Sequence, residues 1–529
     1  MRILSFKSGR GGALSAIDTS LQTLLFSYEG EKDSFPRNSS ATVDSFIDGA
    51  LWFDDLPDVL ALTGNSRNEL EHSSLTGAGC FGVGPEAQII GKRTFFGRNV
   101  HFFSSTHERA HIWSAYGMSP FPQGAPCYVL VWDDVFGDFY EVNECLEISH
   151  IGHVMDNPCQ KFSLAYRFAN KATDRLIDLT GRDDFGKMMG SASFGDSSRC
   201  DPMAASVVEQ ILASDSLALA EVSPVLGISV ESSRFRDFAA RLSDSIFSTF
   251  EAFARRKMKK GYPLLISGEG ALNCYWTTRW SNSGIFPYLH VSPSANDVGC
   301  AIGTAVDAMR HFAGVAKLNW SVYSGQPYQD DCDSVPGLIG EELNYAAIAA
   351  RLEAGQVIGW ANGNCEIGRR ALGNRSILAT PFDQEIRRKL NRIKERPEDC
   401  PVAPICLEED AHLHFDGNSP SPYMLRLHKV IDDRLGAVTH VDKSARIQTV
   451  SREQHPMLHT LLKAFKQRTG VGVLCNTSLN FKGAGFINKT SDLNHFAQRK
   501  GLDGFVAGIR FYQTCPSPNA LGICTAEAD

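Results

Sequence analysis

The stretch CYVLVWDDVFGDFYEV, Cys127 to Val142, decides how the first half of the chain is read. Tyr128 to Trp132 is an unbroken apolar run of strand length, Asp133 and Asp134 open an acidic turn, and Phe139 to Val142 is the return strand. The amino-terminal residues repeat that plan: RILSF, the glycine-rich KSGRGG, ALSAID and LLFSYEGE read as strand, glycine loop, strand and strand. Two openings of one kind predict an internally duplicated α/β domain.

Working outward, RFRDFAARLSDSIFSTFEAFARRKMKK repeats apolar residues at three and four, which predicts a helix, and YPLLISGEGALNCYW reads as strand, glycine turn and helix. Between Trp320 and Glu341 the text loses periodicity and gathers Pro, Gly and Asp. A linker is therefore expected at 326–341, between a first domain at 1–325 and a second at 342–529. The second domain opens with a helix from Leu343, the strand VIGWA and a loop, NGNCEIGRRALGNRS, carrying Arg369, Arg370 and Arg375. It closes with the strand and turn VGVLCNTSLNFKG.

A length of 529 residues exceeds one ordinary core, in keeping with two domains. With 43% apolar and 21% charged residues the composition is that of a globular protein. The net charge of −8 disfavours nucleic acid as a partner, leaving only a local basic groove as a route to it. No stretch approaches the ~18 apolar residues of a membrane span, and the first residues lack the apolar run of a signal peptide. A cytoplasmic enzyme without a membrane partner is the expectation. The 14 cysteines include no C-x-x-C pair, so free buried thiols are expected rather than a zinc ribbon or a disulfide framework.

Several constellations carry chemistry. His107-Glu108-Arg109-Ala110-His111 places two imidazoles four residues apart, on one face if helical, where a single cation can bridge them. The same letters spell the H-E-x-x-H of zinc proteases, and an ordinary helix with two histidines also fits. Asp297, where a strand end meets a Gly-rich helix start, can complete a metal site or act as a plain N-cap. SGEGALN, with Gly268, Gly270 and Asn273, is a candidate cradle of backbone amides for phosphate. Arg370, Arg375, Lys394 and Arg446 lie off any amphipathic face, as an anion pocket or as surface charge. Asn476 and Ser478 add small donors on a turn after a buried strand.

These residues sit in blocks that resemble the NodU and cephem O-carbamoyltransferase family: FSSTHERAH, LLISGEGALNC, NDVGCAIGTA, GNCEIGRRALGNRSILATPF, LNRIKERPEDCPVAPICLEED, AVTHVDKSARIQTV and TGVGVLCNTSLNFKGAGF, in that order along nearly the whole chain. FKSGRGGALSAI, EKDSFPR and VYSG look most like its 3-hydroxymethylcephem branch. The resemblance implies an actin-like, Kae1-like amino-terminal domain and a YrdC-like carboxy-terminal domain. In the second, ATP and carbamoyl phosphate would give a carbamoyl-adenylate; in the first, the carbamoyl group would pass to a hydroxyl of a small-molecule or natural-product acceptor, as in antibiotic biosynthesis. It further implies a divalent metal, iron or similar, on His107, His111 and Asp297 with Asp133 as a fourth ligand. Lys394, Arg446, Asn476 and Ser478 would hold carbamoyl phosphate, and Arg370 and Arg375 would meet nucleotide phosphates or order the loop that does. A homodimer is left open.

The chain departs from the family pattern at four places. Gly9-Arg10-Gly11-Gly12-Ala13 stands for Gly-His-Asp-Gly-Ala, and Arg10 cannot act as a base near neutral pH. Gly368-Arg369-Arg370 stands for Gly-Pro-Arg, Cys400-Pro401-Val402-Ala403-Pro404 for Arg-Pro-x-Ala-Pro, and Gly268-Glu269 for a Gly-Gly turn. Two competing readings keep the resemblance: carbamoylation of a hydroxymethylpyrimidine in DNA or nucleotide, and a catalytically impaired homologue that binds nucleotide.

Overall fold

The computed structural model describes residues 1–32, 39–51, 56–65, 77–166, 184–214, 228–335, 338–398, 400–417 and 419–514. Most of the EKDSFPR block lies outside them. The chain forms two compact units, Met1–Leu25 with Ser40–Trp320, and Phe26–Ser39 with Ser321–Asp529.

The first unit is built twice on one plan. Its first sheet runs β3 (Thr23–Glu29, of which Phe26–Glu29 count with the second unit), β2 (Ala13–Asp18), β1 (Arg2–Lys7), β4 (Val59–Thr63), β6 (Arg98–Ser105) and β5 (Gln88–Phe95). Its second runs β9 (Ile148–Asp156), β8 (Phe136–Val142), β7 (Cys127–Trp132), β10 (Leu264–Ser267) and β11 (Leu289–Val291). In each, the first strand pairs antiparallel with the second and parallel with the fourth in space, and the next strand is again parallel. The duplicated α/β plan expected of an actin-like domain is thus present in the strand order itself. β7 and β10 are buried at every residue, as central strands covered on both faces must be.

Two helices, His107–Gly117 and Cys300–Ala313, pack on each other and on these sheets. They approach so closely that a Cβ at Gly303 would lie 1.8 Å from the Ala110 carbonyl oxygen, so only glycine serves there. His107–Gly117 is buried along its whole length and has no polar face. Its charges are therefore paired internally: Arg109 Nε and Nη2 each donate to Asp307 at 2.8 Å. Breaking such a buried pair costs roughly 3–5 kcal/mol.

The second unit is a mixed sheet in the order β12 (Glu341–Glu342), β21 (Arg510–Gln513), β20 (Gly504–Ala507), β13 (Ile358–Ala361), β14 (Arg375–Ala379), β19 (Val473–Ser478), β15 (Ala403–Leu407) and β18 (Gln448–Val450), with a two-stranded ribbon of β16 (His428–Lys429) and β17 (Ser444–Ala445). Helices Tyr345–Glu353 and Pro456–Thr469 cover one core, with Ile348, Leu352, Leu458 and Leu462, and Gln384–Ile393 and Thr490–Lys500 cover another, with Leu390, Leu493 and Phe496.

The stretch expected as a linker is instead tied into this unit. Tyr328 and Gln329 donate backbone bonds to Gly363 and Asn488, and Asp331 accepts from Ser491. Backbone hydrogen bonding, which periodicity does not report, draws these polar residues into the fold. Among the described residues no helix is long and apolar enough to cross a membrane.

Candidate functional site

In the first unit, the residues that matter all leave the carboxyl ends of strands: Arg10 after β1, His107 after β6, Asp133 and Asp134 after β7, Ser267 at the end of β10 and Asp297 after β11. That edge is where open α/β sheets bind ligands. Thr106 caps the helix Nterminus by accepting from Arg109 N, which fixes His107 and His111 one turn apart. Their Nε2 atoms stand 3.1 Å from each other. Asp297 Oδ1 lies 3.7 and 3.5 Å from the two rings, and Asp133 oxygens lie 3.4 and 3.9 Å away.

A tetrahedral ion with bonds near 2.05 Å to nitrogen and oxygen has ligand-to-ligand edges of about 3.3–3.4 Å. The cluster matches that scale. Ser267 Oγ donates to Ala295 O at 2.9 Å, so toward His111 Nδ1, also at 2.9 Å, it can only accept. Ser267 thereby fixes a proton on His111 Nδ1, which leaves Nε2 as the atom that faces the cluster and that would bind a cation once its own proton is displaced. Two imidazoles and two carboxylates converging in a buried space fit a divalent cation. Burial opposes charge on His111, yet the Cys300 thiol and Asp297 outweigh it and raise its pKa to about 9. Asp297 is driven well below the usual carboxylate range despite its burial, chiefly by its hydrogen bond to His111.

Glu108 is not poised as a protease base. Its Oε2 accepts from Gly82 N at 2.6 Å and its Oε1 accepts the Tyr140 hydroxyl, so it ties the helix to a loop and to β8. Arg10 Nη1 lies 2.7 Å from Asp134 Oδ2, and Asp134, Asp297, Glu269 and Asp133 together hold its proton more tightly than in water. Burial pushes the Asp134 carboxyl up to about 7 against the pull of Arg10. Gly11 has φ +64°, and a Cβ there would meet Asp297 Cβ at 2.5 Å, which explains why the aspartate of the family pattern has no room in this chain.

The glycine turn of β10 departs from the phosphate-cradle expectation. The amides of Gly268, Ala271 and Asn273 are spent on Ala295 O, Gly268 O and Gly270 O. Side chains at Gly268 or Gly270 would strike Trp132, and Asn273 Oδ1 caps the helix Cys274–Asn282 by accepting from Tyr275 N. Gly268, Gly270 and Asn273 are packing and capping residues here.

In the second unit Arg375 is no loop residue. It opens β14, fully buried, and donates to Asn488 Oδ1, Asn362 O, Asn374 O and Gly363 O at 2.7 to 3.0 Å. With its fork so engaged it orders the 362–374 loop instead of offering donors to a ligand. Inside that loop Glu366 Oε1 accepts from Leu372 N, Asn374 N and Arg375 N, and Gly368 is pinned by Glu29 Oε1 on its amide and Lys32 Nζ on its carbonyl. Arg370 follows directly. Lys394 Nζ meets Ser478 O, Asn480 O and Asn480 Oδ1, while Ser478 Oγ donates to Asn480 Oδ1. Asn476 Nδ2 donates to Ala371 O and Gln448 Oε1, and its Oδ1 is buried with no hydrogen-bond partner among the described residues.

Beside these lies a group of arginines with unmet donors. Arg396 Nη2, Arg446 Nε and Arg387 Nε are buried and meet no acceptor among the described residues. Burial, then the neighbouring Arg446, lowers the Arg396 pKa, and burial with Arg446 and Arg387 brings His440 down to about 4. Buried cations that repel one another and lack acceptors describe an anion pocket. Arg396 and Arg387 escaped the sequence reading. The signal for Arg396 was its place in KERPEDC, two residues past Lys394.

Residues 349–513 match the family model described as Carbamoyltransferase C-terminus. The chain is 41% identical over 520 residues to the 3'-hydroxymethylcephem-O-carbamoyltransferase of Amycolatopsis lactamdurans, covering 97% of this chain and 99% of that one. The chain belongs to the O-carbamoyltransferase family. The namesake enzyme of Streptomyces clavuligerus is 40% identical over 97% of this chain and 99% of its own, and nodulation protein U of Bradyrhizobium diazoefficiens is 30% identical over 92% and 93%. In this O-carbamoyltransferase the cluster of His107, His111, Asp297 and Asp133 lies in one unit, and the arginines with buried, unmet donors lie in the unit that contains the family match.

Proposed function

We propose that in the second unit of this O-carbamoyltransferase water releases phosphate from carbamoyl phosphate, the carbamate so formed displaces pyrophosphate from ATP to give a carbamoyl-adenylate, and the carbamoyl group passes to a hydroxymethyl oxygen in the first unit. A 3'-hydroxymethylcephem or a close relative is the acceptor, since two relatives matched along nearly their whole length at 40–41% identity are named for that substrate. The observation that carries the reading is the group of arginines with buried, unmet donors in the unit that holds Asn476: it suits an anion, and carbamoyl phosphate and ATP are both anionic. Arg446, Arg396 and Arg370 neutralise phosphate oxygens, and Asn476 Oδ1 accepts from the carbamoyl amide. Lys394 and Ser478 engage phosphate by exchanging their bonds to Asn480.

In the first unit, His107, His111 and Asp297, with Asp133 beside them, hold a divalent cation such as iron. When bound it polarises the carbamoyl oxygen. The hydroxymethyl oxygen attacks the carbamoyl carbon, AMP leaves, and the acceptor proton passes to a group other than Arg10, whose neighbouring carboxylates keep it charged. Arg10 partly neutralises that acidic edge and meets the acceptor's carboxylate. ATP and carbamoyl phosphate as co-substrates place the reaction in the cytoplasm.

The test is purified protein with ATP, carbamoyl phosphate and a panel of hydroxymethyl acceptors, read by mass. A gain of one carbamoyl group on the cephem, dependent on ATP, is expected. No carbamoylated product from any acceptor, with metal and ATP supplied, would overturn the reading.

A further inference from the structure

We propose that Cys300 is a ligand of the cation held by His107, His111 and Asp297, giving the site one thiolate beside two imidazoles and a carboxylate. The proposal rests on the reading of the histidine pair as a metal site and adds a donor to it. One ligand atom from each of these four residues lies within 4.8 Å of every other, the one such group of His, Cys, Asp and Glu among the described residues.

The backbone sets the thiol in place. Asp297–Gly299 is a single 3-10 turn that runs straight into the helix Cys300–Ala313, so Asp297 and Cys300 are three residues apart and face the same side. Gly303 against Ala110 O, and Gly299, where a Cβ would lie 1.9 Å from Ser294 O, lock that helix against the histidine helix and the preceding loop. The Cys300 backbone cannot shift without moving both. It is fully buried, belongs to no disulfide, and sits at the positive end of a 14-residue helix, which favours the thiolate.

A sulfur donor has consequences for the ion. All-oxygen sites suit magnesium, calcium and manganese, whereas two nitrogens, an oxygen and a sulfur suit zinc, cobalt(II) and iron(II). Four protein donors would also close a tetrahedral site, so an ion that admits the carbamoyl oxygen would have to accept five or more ligands.

The test uses full-length protein stripped of metal and loaded with cobalt(II). The wild type is expected to bind about one cobalt that His111→Ala abolishes, and to show a near-ultraviolet sulfur-to-cobalt charge-transfer band. Cys300→Ser should keep the cobalt and lose the band, and its preference for zinc over manganese should fall at least tenfold. Cobalt bound at the histidine site without the band, or an unchanged band in Cys300→Ser, overturns the Cys300 assignment while sparing the site. Cobalt binding indifferent to His111→Ala overturns the site itself. Should Cys300→Ser not fold, the wild-type spectrum alone decides.

Discussion

Replacing Arg396 by Met should leave the ligand-free protein about as stable and make it less responsive to carbamoyl phosphate. Arg396 Nη2 is buried without an acceptor beside another guanidinium. Leaving such a donor unmet costs about 1–3 kcal/mol. The substitution also forfeits the 2.5 Å bond from the charged Nε to Asn391 Oδ1, worth about 1.5–3 kcal/mol, so the two effects nearly cancel. With carbamoyl phosphate present the balance is lost. One charge-assisted bond of about 1.5–3 kcal/mol is lost, which raises Kd roughly 10- to 100-fold. A concentration of 100 Kd stabilises the wild type by about 2.7 kcal/mol and would stabilise the variant by only about 0.4–1.4 kcal/mol. Urea titrations followed by circular dichroism, with and without carbamoyl phosphate, read both effects. A variant that is less stable alone yet gains as much from the ligand would show that Arg396 serves packing and not an anion.

Glu108→Gln should keep its metal and lose stability, because the carboxylate ties Gly82 N and Tyr140; metal loss on this change, with metal retained in His111→Ala, would contradict the site. Arg10→His alone should leave metal content intact, whereas adding Gly11→Asp should drive a side chain into Asp297 and cut metal binding at least tenfold; equal metal in both variants would refute the steric argument. His455 is buried, caps the helix Pro456–Thr469 and bonds Asn374, and burial lowers its pKa to about 4. The fold therefore favours the neutral ring. Its contribution is complete above about pH 6.5 and lost as pH falls toward 4, at up to about 1.4 kcal/mol per unit, and His455→Asn should flatten that acid slope in a pH series of denaturation curves. An unchanged slope would count against it.

The duplicated plan of the first unit was legible because its central strands are continuous apolar runs, as in Tyr128 to Trp132, and such runs need no tertiary information to be recognised. His107, His111 and Asp297 were legible through spacing and the family blocks, and the structure brings them together. Of the two roles the sequence leaves open for Arg375, meeting phosphates or ordering a loop, its partners match the second, and the SGEGALN glycines have a packing role against Trp132 that a glycine turn does not announce in sequence. Only the partners distinguish them. Cys300 was overlooked although Asp297-x-x-Cys300 has the spacing of one turn, and the assignment of Phe26–Ser39 to the second unit has no local signal at all, since long-range pairing alone determines it.

The division of labour between the two units is tested most directly by pyrophosphate release in a single turnover with ATP and carbamoyl phosphate and no acceptor. Arg446 is the residue to change, since removing Lys394 would also strip three oxygens of their partner and confuse stability with chemistry. Arg446→Met should abolish pyrophosphate release, while His107→Ala should release it at the wild-type level and fail only when the acceptor is added. Equal loss in both variants, or ADP in place of AMP and pyrophosphate, would contradict the account.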